Sequence, residues 1–335
     1  MRRKSVVGIC LTLFLLCSAT RALTADKASI ASGWVLTGAE APYFLAEERG
    51  YYKAEGIDLT ISRGYGSGDT VRRVNLAEAM FGHADSSAAL VGRARGAKVK
   101  ILGVVMARSP HVIFSLKKTG IRTPADLKGK RIGAGKSDVV RIVFPAFAKI
   151  NGLDPGTVNW VSTTPAVKGA SLLAGKLDAI TNFTTDRIPL EPKAKATGVE
   201  IVEMQLRDWG LDLYSYGIFT NDKLIAERRD LVARFVRASI KGFAAALEDP
   251  KGAVTALTRK IPALSPTLAL KQLKIGNDLL LSEEAYKGGL GTVSRKKMSI
   301  MIDLLTQYMN LPRKISPDEI YTNEFLPGII PKKGS

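Results

Sequence analysis

The stretch IDLTISRGYGSGDTVRRVNLAEAMFGHAD, residues 57–85, holds the pattern that decides the fold. Apolar and polar residues alternate over Ile57–Ser62 and predict a strand. Gly64, Gly66 and Gly68 predict a tight turn, and Asp69–Ala79 a helix. Met80–Ala84 then predicts the next strand. A strand, a glycine turn, a helix and a strand in so short a span form the unit of a mostly parallel sheet with crossover helices.

The alternation continues on both sides. Ile30–Leu36 predicts a strand, and Pro42–Arg49 a helix with proline in its first turn and Gly50 as its stop. Ser86–Arg95 and Val99–Met106 predict a further helix and strand. A second set runs from His111–Lys117 through strands at Arg131–Ala134, Val158–Ser162, Ala179–Asn182 and Val199–Met204. Tyr214–Thr220 returns as a strand, and helices over Arg229–Leu247, Pro250–Lys260, Pro266–Leu281 and Arg295–Met309 are expected to pack back on the first set. The expected class is α/β, with two mixed, mostly parallel sheets flanked by helices. The expected division is a leader over residues 1–25, a first lobe of 26–108 plus 220–335, and a second lobe of 109–219. Two crossings, near Ala107–Val112 and Tyr216–Asn221, can act as hinges.

Arg2, Arg3 and Lys4 precede an apolar run from Val6 to Leu16 and a small-residue region ending at Ala25, the layout of a secretory leader. The run is shorter than the about 20 residues of a membrane-spanning helix, so export is expected. Cys10 and Cys17, the only cysteines, fall in the leader. The exported chain is therefore expected to lack disulfides, a thiolate nucleophile and cysteine-held metal. His83 and His111 are the only histidines and read as structural. No cluster has metal-ligand spacing, so neither metal nor cofactor is expected. The net charge of +18 falls to +14 once the four basic residues of the leader are removed. The remaining basic residues are spread along the chain, a solvated surface and not a nucleic-acid footprint. No nucleophile elbow or Ser–His–acid arrangement is legible, so no catalytic residue and no enzymatic activity is expected.

In open α/β sheets, ligands bind beyond the carboxyl ends of the strands, where helix N-termini offer free N–H donors. Five loops have the composition for this: Thr37–Glu40, Gly64–Asp69, Asp85–Ser87, Gly135–Asp138 and Thr184–Asp186. They supply the candidate ligand-binding residues Thr37, Ser67, Gly68, Asp85, Ser86, Lys136, Ser137 and Thr184. Ser67, Ser86 and Ser137 also read as helix N-caps. Gly64–Asp69 lacks both the Gly-Lys-Ser/Thr ending of a P-loop and the dinucleotide spacing. Trp34 is a candidate aromatic wall; Trp209, Tyr214 and Tyr216, before the return crossing, read either as walls or as core. Arg108 and Arg141 are candidate guanidinium clamps for a sulfonate or carboxylate.

The run from Ala41-Pro42-Tyr43-Phe44 through Gly50-Tyr51-Tyr52-Lys53-Ala54-Glu55-Gly56-Ile57 resembles the opening of the periplasmic substrate-binding proteins for alkanesulfonates, taurine, nitrate and thiamine precursors. Phe81–Ser87, the TPADLKG phrase at 123–129, Leu173–Ala179 and Tyr321–Leu326 extend the resemblance along the chain. The resemblance implies a two-lobed periplasmic-binding-protein fold, a periplasmic location, a monomer and a membrane permease of an ABC importer as partner. It also implies a small-molecule ligand between the lobes, near Trp34, Ser67-Gly68, Asp85-Ser86 and Lys136-Ser137. Pyrimidine synthases of the same fold use a cysteine cluster, which the exported chain lacks. A small organic anion is the expected ligand. A thiamine-type pyrimidine or other polar heteroaromatic is the alternative, and an enzyme using a cleft carboxylate, Asp69 or Asp85, is the rival of another class.

Overall fold

The computed structural model describes residues 25–332, and the leader reading lies outside them. The strands are β1 (Asp26–Ser32), β2 (Ile57–Ser62), β3 (Phe81–Asp85), β4 (Val99–Val104), β5 (His111–Leu116), β6 (Arg131–Ala134), β7 (Asn159–Ser162), β8 (Ala179–Phe183), β9 (Ile201–Gln205) and β10 (Tyr216–Asn221). They form two five-stranded sheets, ordered β2-β1-β3-β10-β4 and β7-β6-β8-β5-β9. Pairing is parallel among β2, β1 and β3 and among β7, β6 and β8. In each sheet the antiparallel strand is the one that has just crossed from the other lobe. β10 runs against β3 and β4, and β5 runs against β8 and β9.

The helices that position the cleft are α1 (Ala41–Glu48), α2 (Ser67–Asn75), α3 (Ser86–Ala94), α4 (Val139–Ile150), α5 (Pro165–Leu173) and α6 (Arg187–Ala196). Four more follow: α7 (Arg229–Glu248), α8 (Pro250–Lys260), α9 (Pro266–Leu280) and α10 (Arg295–Met309). On α7, Leu231, Val232, Phe235, Val236, Ile240 and Phe243 recur every three or four residues and bury one face against the first sheet. Phe235 stacks on Phe81 of β3 with ring centroids 3.7 Å apart. α8 and α9 pack on α1 and on the loop before it, as expected. α10 packs on α3 of the first set, as expected, and in addition against α4 of the second lobe. Its buried Met298, Met301, Ile302 and Leu305 share one apolar core with Val139, Val143 and Phe147. The reason is complementary faces: the apolar stripe of α10 meets the apolar stripe of α4.

The element types of the sequence reading hold, and several boundaries move. β1 ends at Ser32 instead of Leu36: the Gly33 N–H makes the last ladder bond to β3, to the His83 carbonyl at 2.7 Å, and the chain then leaves the sheet. The three predicted serine N-caps are displaced by one residue to Gly66, Asp85 and Asp138. The two aspartates accept from the N–H groups of Ser87 at 2.9 Å and Val140 at 3.0 Å. A carboxylate is the stronger acceptor for an open helix end.

Both crossings are fastened to Asp85, which is fully buried. His111 at the start of β5 donates Nε2–H to Asp85 Oδ2 at 2.7 Å, and Ser215, just before β10, donates its hydroxyl to the same oxygen at 2.7 Å. Ser109 Oγ lies 3.0 Å from His111 Nδ1, and Ser86 donates both N–H and Oγ–H to the Ser215 carbonyl. Burial pushes the Asp85 carboxyl up, but the His111 charge and hydrogen bonds from His111, Ser87 and Ser215 outweigh it and hold the group below its ordinary value. A lowered folded value means that this stabilisation is present above the ordinary aspartate range and is lost as pH falls below it. Removing one member of a buried pair strands the other. Asp85→Ala is expected to cost about 3–5 kcal/mol in urea unfolding at pH 7, and a loss below about 1 kcal/mol would contradict the anchoring role.

Candidate functional site

The carboxyl ends of both sheets face one gap. After β1 the chain turns at Gly33, and the glycine turn that follows β2 is laced onto it: Gly64 N–H donates to the Trp34 carbonyl at 2.8 Å and Gly66 N–H to the Gly33 carbonyl at 2.9 Å. Gly66 has φ +130°, and a Cβ there would lie 2.4 Å from the Ser137 carbonyl oxygen of the other lobe. Gly68 N–H donates to that same carbonyl at 3.1 Å. The lobes therefore touch backbone to backbone at the glycine turn and the loop before α4.

Behind this contact lies a small inner chamber of about 40 Å³. The first lobe supplies Trp34, Thr37, Glu40, Ser67 and Tyr216, and the second Asp138, Lys168, Asn182, Phe183, Thr185 and Asp186. Trp34, Thr37, Lys168 and Asp186 also border an outer vestibule of about 550 Å³, which extends between α5, α6 and the start of α9.

Glu40 closes a capping box with Thr37. Its Oε2 accepts from Thr37 N–H at 2.8 Å and Thr37 Oγ1 at 3.0 Å, and its Oε1 accepts from Ser32 Oγ at 3.0 Å. Burial pushes the Glu40 carboxyl up to about 7, against the lowering effect of these hydrogen bonds. His83 stands 3.8 Å from Glu40, but burial depresses its value to about 3, so it is neutral and gives no countercharge. In the second lobe, Lys168 on α5 is 2% exposed. Its ammonium donates to Asp138 Oδ2 at 2.9 Å and to the Thr181 carbonyl, and it lies 4.6 Å from the centroid of the Trp34 ring across the gap. Asp138 also accepts from Thr181 Oγ1 at 2.8 Å. Asp186 accepts from the Phe183 N–H at 3.1 Å, and burial raises its value. Among the described residues the chamber thus holds three carboxyl groups, one lysine and no arginine.

Of the residues singled out from sequence, Trp34, Thr37 and Ser67 line the chamber. Gly68 and Ser137 meet each other at the interlobe contact. The others lie elsewhere. Asp85 and Ser86 are consumed in the hinge network. Arg108 is exposed and donates to the Asp278 carbonyl at 3.1 Å, while the Arg141 guanidinium sits 5.1 Å from the Trp160 ring centroid. Lys136 is exposed. Thr184 spends its N–H on the Pro110 carbonyl at 2.9 Å, and its neighbour Thr185 takes the place in the chamber. Asp69 pairs with Arg72 on the surface of α2. Ser109, His111 and Asp85 have the composition of a nucleophilic triad, but all three are fully buried and none lines the chamber.

Sequence reading missed Lys168, Asn182 and Phe183 as chamber residues, whereas Tyr216, which reads either as wall or as core, lines the chamber. Lys168 left one signal: it lies four residues before Leu172, on the buried face of a helix otherwise made of small and apolar residues. Among the described residues no cluster of side chains could hold a metal ion, and no helix is long and apolar enough to cross a membrane.

A carboxyl whose folded value is raised binds more protons folded than unfolded between the two values, so its ionisation lowers stability as pH rises. For Glu40 that window runs from its ordinary 4.5 to about 7. Urea titrations are expected to show stability falling from pH 5 to pH 8 and Glu40→Gln flattening that decline. An equally steep decline in the variant would contradict the assignment.

A family model described as NMT1/THI5 like matches residues 39–253. The chain is 25% identical over 319 residues to the riboflavin-binding protein RibY of Chloroflexus aurantiacus, covering 91% of this chain and 87% of that one. It is 24% identical over 247 residues to a 4-amino-5-hydroxymethyl-2-methylpyrimidine phosphate synthase of Legionella pneumophila, covering 73% and 77%. The solved alkanesulfonate-binding protein SsuA from Xanthomonas axonopodis pv. citri, bound to MOPS, matches with a TM-score of 0.67 at 17% identity, covering 88% of this chain and 98% of that one. The two-lobed periplasmic-binding-protein fold expected from sequence is the fold observed.

Proposed function

The chain belongs to the NMT1/THI5-like family, and from that premise and the chamber geometry we propose that it is the monomeric, periplasmic solute-binding component of an ABC importer that captures a small polar heteroaromatic molecule. The observation that carries this reading is the chamber lining: Trp34, Phe183 and Tyr216 around Glu40, Asp138 and Asp186, with no guanidinium facing in. Aromatic faces stack on flat rings. Carboxyl groups meet ring and exocyclic N–H donors, and they repel sulfonates and carboxylates. Arg108 and Arg141, the candidate clamps for an anion, both lie outside the chamber, one on the Asp278 carbonyl and the other over the Trp160 ring. Two relatives carry names that contain heteroaromatic compounds, riboflavin and a methylpyrimidine phosphate.

Capture follows from the architecture. With the lobes parted, a ring enters from the vestibule beside Trp34. With the lobes in contact the chamber holds about 40 Å³, less than a ring needs, so the bound ring extends into the vestibule of about 550 Å³ or holds the lobes slightly further apart, with Phe183, Thr185 and Asp186 as its second-lobe wall. Micromolar affinity corresponds to about 8 kcal/mol, which several charge-assisted hydrogen bonds of about 1.5–3 kcal/mol each supply, less the cost of ordering.

A calorimetric screen of aminopyrimidines, riboflavin, alkanesulfonates and nitrate tests the reading. At least one heteroaromatic is expected to bind and to be recovered unchanged, with Trp34→Ala weakening it tenfold or more. Binding confined to sulfonates would restore the anion reading, and chemical turnover of the captured ring would make the protein an enzyme; either result overturns the proposal.

A further inference from the structure

The chamber carries more carboxyl than cationic charge, and its one cation is already engaged. Lys168 is held by Asp138 and the Thr181 carbonyl, which leaves Glu40 in the first lobe and Asp186 in the second without a salt-bridge partner. The groups around Glu40 offer no positive charge. They are the neutral His83 on β3, Tyr43 on α1, Tyr216 on β10, the hydroxyls of Ser32 and Thr37, and Gln272 on α9, whose Oε1 is occupied by Gly38 N–H. Asp186 faces Lys168, Asp138, Tyr216 and the Phe183 N–H. The lysine also shows what the aromatic wall accepts, because its ammonium stands over the face of Trp34. A ring that enters beside Trp34 passes Arg63 and Lys193 in the vestibule, takes the Trp34 face left free by Lys168 or displaces its ammonium, and meets two carboxyl acceptors and no further cation in the chamber.

Resting on the heteroaromatic reading above, we propose that the chamber selects its guest as a cation, a ring-protonated or permanently charged amino-heteroaromatic, and that Glu40 and Asp186 are the residues that read the charge. Glu40 reads from the first lobe and Asp186 from the second, so both engage the same guest only when the lobes have closed. An uncharged ring of the same shape gains the stacking on Trp34 but leaves the buried Glu40 and the half-buried Asp186 without a countercharge. The two groups therefore set specificity more than the aromatic wall does. Between pH 6 and pH 8 a permanent cation should bind more tightly as pH rises, because it favours the ionised carboxylate and displaces a proton from Glu40.

The test uses the leaderless chain and a matched pair of probes, 4-amino-2-methylpyrimidine and its N1-methylated cation, titrated by calorimetry at pH 6, 7 and 8. The cation is expected to bind at least tenfold more tightly than the neutral ring at pH 8, with affinity rising from pH 6. At pH 7 the apparent enthalpy should depend on the ionisation enthalpy of the buffer, as proton release requires. Glu40→Gln is expected to abolish the pH dependence and reduce the preference for the cation at least fivefold. Asp186→Asn should reduce the preference without removing the pH dependence, and it serves as the readout if the Glu40 variant is unstable. Equal affinity for the two probes, or a cation preference unchanged in both variants, would overturn the inference while leaving heteroaromatic capture intact. Failure of any heteroaromatic to bind would instead remove the reading on which it rests.

Discussion

One buried carboxylate, Asp85, holds the two halves of the molecule in register. It ends a central strand of the first sheet, accepts from His111 as the chain enters the second lobe, and accepts from Ser215 as the chain returns. Each crossing strand then inserts antiparallel into the sheet it joins. A charge with no exposed surface keeps its place only while its partners satisfy it. The position of both crossings, and so the placement of each lobe's loops toward the gap, follows from that requirement.

Around this pivot the two sides of the gap differ in chemistry. At the back, α10 lays an apolar face on α4, a contact that tolerates small sliding movements of packed helices. At the front, the glycine turn meets the Ser137 carbonyl through backbone atoms alone, which is possible because Gly66 and Gly68 carry no side chain to intervene. Between back and front lies the chamber, where Lys168 of one lobe rests on Trp34 of the other. On the proposed reading, the free energy of closure depends on what fills the chamber. That dependence is what reversible capture requires: a guest shifts the balance between open and closed forms by as much as it prefers the closed one.

Much of the scaffold is written locally and could be read from local pattern. Two-residue periodicity marks β2, the proline at the start of α1 and the glycine after it mark that helix, and glycines mark the turn before α2. Cap positions moved by one residue because aspartate competes successfully with the adjacent serine, a choice decided by which acceptor reaches the open N–H groups. The chamber was legible only where it lies on loops at strand ends, which is why Trp34, Thr37 and Ser67 could be named in advance. Lys168 sits within a helix, and its meeting with Trp34 depends on how one lobe folds over the other. The direction of Arg108 and Arg141 is likewise a tertiary matter. Nothing near either arginine in sequence tells that one reaches the Asp278 carbonyl and the other the face of Trp160.

If the lobes open and close around a guest, the distance between them changes on binding. The described residues contain no cysteine, so labels can be placed singly at Tyr65→Cys in the first lobe and Val167→Cys in the second, at positions 62% and 51% exposed. With spin labels at both, pulsed electron paramagnetic resonance should give a long or broad distance distribution for the free protein. Saturation with a heteroaromatic that calorimetry shows to be bound should turn it into a single, shorter and narrower one. A distribution unchanged by that bound molecule would contradict closure and the account built on it.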